Sequence, residues 1–141
     1  MNTVDIPPRS RMKTWAYTVF IIAFLCLWLS GMTAGLMAGA CRNDRYEGEK
    51  KLRFCNISLT AAAWMRLLPV ERTKRSIIHL ERGIALAQMG RNDEAIAAFK
   101  TALQDAREKR GSWEKRLHQR MVALKDPHAL PLWVSVVQAA E

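Results

Sequence analysis

From Ser76 to Asp105 the chain reads SIIHLERGIALAQMGRNDEAIAAFKTALQD, and two helical periods meet inside it at Gly90. In the first, Ile77, Leu80, Ile84 and Ala87 recur at helical spacing; in the second, Ala95, Ile96, Phe99, Ala102 and Leu103 do the same. The sequence MGRNDE separates them. Gly90 can take the left-handed conformation that ends a helix. Asn92 is placed to cap the next one, with Asp93 and Glu94 at the positive end of its dipole. The stretch predicts a helical hairpin with a very short turn.

Gly83 and Ala95 would let the two helix axes approach closely, with Phe99 filling the space beside them. Ala95 lies twelve residues after Gly83, Phe99 four further and Ala102 three further, with Gly90 at the turn. This pattern resembles a tetratricopeptide repeat over about one repeat length of some 34 residues. Two positions depart from the family: His79 stands where an opening tryptophan is usual, and Arg107 where a closing proline is usual. The resemblance implies a surface that binds other proteins. It places a groove at Ile77, Leu80, Ile84, Ala87 and Gln88, and repeat packing at Gly83, Gly90, Ala95, Phe99 and Ala102. The groove positions are mostly apolar, which suits an amphipathic helix better than a peptide carboxylate. The chain's own last helix is one candidate to fill that groove or to compete for it.

Outside the hairpin, the 141 residues leave room for one small domain and an anchor. The net charge of +9 favours acidic proteins or anionic lipid headgroups as partners. No nucleic-acid partner is expected: the basic residues are scattered and no helix-turn-helix or zinc-finger spacing occurs.

Trp15 to Ala40 contains no charged residue. A spanning helix needs about 20 residues, and Trp15 and Tyr17 sit where an interfacial aromatic belt would place them. The first 13 residues read as an unstructured cytoplasmic tail, and 14–40 as a transmembrane signal-anchor helix. Arg9, Arg11 and Lys13 before the apolar run, and Ala38-Gly39-Ala40 before Cys41, also fit a cleaved signal peptide or a degraded lipoprotein site. A signal peptide's apolar region is usually about 7–15 residues long, so the uncleaved anchor is the working expectation. Gly31, Gly35 and Gly39 are spaced by four, a motif for packing against another membrane helix.

Orientation is contested. Arg42, Arg45, Lys50, Lys51 and Arg53 after the segment outnumber the basic residues before it, against the positive-inside rule. A short tail preceding a first signal-anchor helix argues the other way. So do the cysteines: Cys41 and Cys55 would form a disulfide on an oxidising side such as a bacterial periplasm, or stay free on a reducing one. Small periplasmic-looking members of the resembled family often begin with such a pair. Cys26 lies in the apolar segment and reads as filler.

Residues 41–72 read as a cysteine-bearing half-repeat, with a helix over 47–68 ended by Pro69 and the next capped at Thr73 or Ser76. Residues 73–107 form the hairpin, and 108–141 a divergent half-repeat with a capping helix. In that last part Trp113, Leu117, Met121 and Leu124 share one face, and Arg107, Lys109, Arg110, Lys115, Arg116 and Arg120 form a basic one. Leu132, Trp133, Val136, Val137 and Ala140 make a final apolar stripe behind Pro131.

His79, His118 and His128 have no partners at metal or catalytic spacing, and no phosphate loop, G-x-S-x-G or H-E-x-x-H occurs. The expectation is an all-α, non-catalytic protein without metal or cofactor. It is read as a tethered protein-binding adaptor on the outer side of a bacterial inner membrane. The alternative is a single-span accessory subunit of a membrane complex, and a homo-oligomer is open to either.

Overall fold

The computed structural model describes residues 8–63, 71–107 and 112–140, with side chains except those of 8–13 and 71–73. These residues form six helices and no strand: α1 (Pro8–Cys41), α2 (Gly48–Ala61), α3 (Glu71–Gln88), α4 (Asn92–Arg107), α5 (Ser112–Leu124) and α6 (Ala129–Gln138).

Helix α1 is 34 residues long. From Thr14 to Cys41 it is apolar enough to span a membrane, with a mean hydropathy of 2.2 in its most apolar window. Trp15, Phe20, Phe24, Trp28 and Leu29 stand exposed along it. So much exposed apolar surface marks a region built for a membrane or a partner. The helix begins at Pro8, so the tail expected through residue 13 is helical from there; residues 1–7 lie outside the described residues.

Among the described residues, the last turns of α1 meet the rest of the chain. Ser30 Oγ donates to the carbonyl of Ala61 at 2.9 Å, and Ser58 Oγ to that of Ala34 at 3.1 Å. Beyond them Cys41 and Cys55 are disulfide-bonded, with Cα atoms 4.9 Å apart. As numbers rise on α1 they fall on α2, so the two helices are antiparallel. Helix α2 ends at Ala61, well before the Pro69 expected to stop it; Pro69 itself lies outside the described residues.

Helix α3 returns antiparallel to α2: the backbone N–H of Gly48, at the start of α2, donates to Gln88 Oε1, at the end of α3. Because α3 begins at Glu71, the boundary expected at 73 falls inside the helix, and Ser76 is buried within it rather than capping it. Its buried residues include Ile78, Leu80, Ile84, Ala85, Leu86 and Ala87. A helix buried nearly all round is a central one, and α3 packs against every other helix of the chain.

The turn at Gly90 is a Schellman motif. Arg91 N–H donates to the Leu86 carbonyl at 2.9 Å and Gly90 N–H to that of Ala87 at 3.0 Å, with Gly90 at φ +73°. Asn92 is the first residue of α4 rather than its cap. The carbonyl of Arg91 takes the cap role, accepting from Ala95 N–H at 3.0 Å.

Candidate functional site

A column of four residues ties the helical domain together. Gly83 on α3 admits Phe99 from α4; a Cβ built on Gly83 would lie only 2.5 Å from Phe99 Cδ1. Phe99 in turn meets Trp133 of α6 edge to face, with ring centroids 5.7 Å apart. The indole N–H of Trp133 donates to His118 Nδ1 on α5 at 3.3 Å. Phe99 and Trp133 are completely buried, and such aromatic pairs stabilise beyond the area they bury.

This column decides the state of the expected groove. Leu80, Ile84 and Ala87 are buried in the same core cluster as Trp133 and Val136 of α6. Ile77 is half-buried against that cluster. Leu80, Ile84 and Ala87 therefore do not line an open channel. Gln88 has become a connector: its Nε2 donates to Asp126 Oδ2 at 2.8 Å while its Oε1 accepts from Gly48 N–H at 3.3 Å. Of the packing residues, Gly83, Ala95, Phe99 and Ala102 are buried together, and Gly90 makes the turn.

Asp126 organises the entry to α6. Its Oδ1 accepts from the backbone N–H groups of His128 and Ala129, both at 2.9 Å. Burial alone would raise the pKa of Asp126. The hydrogen bonds from Gln88 and from these two backbone groups outweigh it and hold the carboxyl below its ordinary value.

The sequence reading missed a charge cluster between the elements. Glu81 on α3 has no exposed surface. It pairs with Lys51 of α2 at 2.6 Å and with Arg120 of α5 at 2.9 Å. Arg120 also pairs with Asp44, in the α1–α2 connection, at 2.6 Å. Burial opposes the charge on Arg120, yet the bonds to Asp44 and Glu81 prevail and raise its pKa. The signal in the sequence was weak: Glu81 stands between Leu80 and the Gly83–Ala87 run, and a carboxylate buried there must have a cation nearby. Which cation could not be read.

The expected basic face is partly internal. Arg120 is spent in this cluster, Arg107 donates to Glu114 and to the Ala140 carbonyl, and Arg116 stacks 4.7 Å from the Trp113 ring centroid. Lys109 and Arg110 lie outside the described residues. Gly35 and Gly39 of α1 are likewise not what holds α2: that contact uses Ser30, Ala34 and Cys41, whereas Cβ atoms on these two glycines would meet nothing within 4 Å.

No protein-family model, curated protein or solved structure matches this chain.

Proposed function

We propose that this protein is a membrane-tethered, non-catalytic adaptor of tetratricopeptide type. It would present its helical domain to protein partners on the periplasmic side of a bacterial inner membrane. The observation that carries this reading is the junction between α1 and the domain. The apolar helix runs without a break to Cys41, and its last three turns are bound to α2 by the disulfide and by the Ser30 and Ser58 hydrogen bonds. A domain joined this way is held at a fixed height and angle on its anchor, as a docking platform requires. The Gly83–Phe99 approach and the Gly90 turn support the tetratricopeptide likeness. Because Leu80, Ile84 and Ala87 are buried in the core that α6 joins, a partner docks on the outer faces of the domain or displaces α6.

One observation favours the rival reading, a single-span accessory subunit. Gly35 and Gly39 are exposed on α1 with open space in front of them, where a second membrane helix could approach closely.

Cross-linking mass spectrometry on the full chain in its native membrane separates the two. The adaptor reading expects links from exposed lysines such as Lys100 and Lys115 to soluble or exported proteins. Links confined to one integral membrane complex, abolished by Gly39→Leu, would replace it with the subunit reading.

A further inference from the structure

Between α1, α2 and α3 lies a cleft of about 210 Å³ that none of the contacts above explains. Helix α1 lines it with Gly31, Ala34, Gly35 and Ala38, whose small side chains leave it open. Leu59, Ile77 and Ile78 line it with apolar surface. Three cations, Arg42, Lys74 and Arg75, also line it, and no carboxylate is among its described residues. Clustered cations on an apolar wall attract an anionic group from outside the chain.

The height of the cleft on α1 identifies the occupant. Counting the roughly 20 residues of a bilayer's hydrocarbon core from Trp15 ends near Ala34. The cleft therefore straddles the level where acyl chains give way to phosphates. An apolar, small-residue surface beside clustered cations at that level has the chemistry of a phospholipid: hydrocarbon below, phosphate above.

We propose that the cleft holds one anionic phospholipid of the membrane that α1 enters. Its acyl chain lies against Gly31, Ala34 and Gly35, and its phosphate is held by Arg42, Lys74 and Arg75. The inference rests on the membrane tether proposed above but not on the side of the membrane or on any protein partner. The bound lipid would fix the junction between anchor and domain.

Native mass spectrometry of the full-length, disulfide-intact protein tests it, with dioleoyl phosphatidylglycerol and dioleoyl phosphatidylcholine offered at equal concentration. The wild type should retain one phosphatidylglycerol with at least about a tenfold preference. Arg42 and Lys74 are exposed, and R42Q/K74Q, its helical content checked by circular dichroism, should bring the preference within about twofold. Gly35→Leu, which fills the cleft where nothing now stands within 4 Å, should weaken retention of both lipids. No headgroup preference in the wild type, a preference that survives R42Q/K74Q, or retention untouched by Gly35→Leu would each overturn the proposal. Alkaline carbonate extraction run alongside separates the two readings. Release of the protein from the membrane overturns tether and lipid site together; membrane retention without lipid preference overturns the lipid site alone.

Discussion

Trp133 meets Phe99 edge-on, with ring planes at 84°, and through that contact the last helix closes over the hairpin. The same indole reaches back to His118, so α6 is fastened to both α4 and α5. Removing the ring leaves a cavity at the centre of the domain. Trp133→Ala should cost about 3–5 kcal/mol, and truncation after Leu130 should cost at least as much. Chemical denaturation of the detergent-solubilised protein, followed by circular dichroism, reads this. If truncation left stability unchanged, α6 would be an appendage rather than part of the core.

Gly83 and Phe99 make the opposite kind of prediction, in which adding one methyl group does the damage. Since a Cβ at Gly83 collides with the Phe99 ring, Gly83→Ala forces α3 and α4 apart or the ring off its rotamer. Overpacking of this sort costs about 1–3 kcal/mol. Normally Gly→Ala stabilises a helix by about 1 kcal/mol, so the sign of the change is itself the test. Phe99→Leu in the Gly83→Ala background should recover part of the loss, which a thermal melt of the double variant would show.

Glu81 is the buried centre of a cluster drawn from four places in the chain. Glu81→Ala takes from the Lys51 ammonium, whose side chain is only 3 % exposed, its 2.6 Å partner and leaves it Asp44 at 3.8 Å. Breaking a buried pair costs up to about 3–5 kcal/mol. The double variant Lys51→Met/Glu81→Leu removes both charges and should be markedly more stable than Glu81→Ala. Equal stability of the two would mean that the stranded charge is not what destabilises.

Asp126 gives the domain a sensitivity to acid. Its folded pKa lies below the ordinary 3.8, so its contribution to stability is present above that value. The contribution is lost as the pH falls through the lowered folded pKa. Asp126→Ala should cost about 1 kcal/mol at neutral pH, as for other helix-entry caps. The gap between the wild type and this variant should narrow in denaturation curves taken below pH 4 (about the ordinary value). A gap constant across that range would exclude the ionised Asp126 as its source.

The hairpin was legible because its signals are local. A glycine at a helix end and an apolar period on either side of it report short-range geometry. The all-helical class and the long apolar helix were legible on the same grounds, whereas the Cys41–Cys55 bond was one of two readings, open until the packing of α2 on α1 was known. Helix ends were less so: Asn92 looks like a cap, but the backbone of Arg91 does that work. The charge cluster was out of reach because Asp44, Lys51, Glu81 and Arg120 are brought together only by packing α2 and α5 against α3. The closed groove was legible only in part. The apolar stripe of α6 announces a need for cover, while its seat on Phe99 depends on how α5 turns at Asp126. The cleft beside α1 had no sequence signature, since its cations come from the end of α1 and the start of α3.

The central claim is a domain fixed to its anchor on the oxidising side of a membrane, and the junction cysteines test it most directly. Intact cells expressing the full chain would be quenched in acid and treated with an alkylating reagent, without reductant, and the alkylated thiols located by peptide mass spectrometry. The account predicts that Cys41 and Cys55 are recovered as one disulfide-linked pair, with Cys26 the only cysteine available to the reagent. Alkylation at Cys41 and Cys55 would contradict it, placing the domain in a reducing compartment and removing the bond that holds it to its anchor.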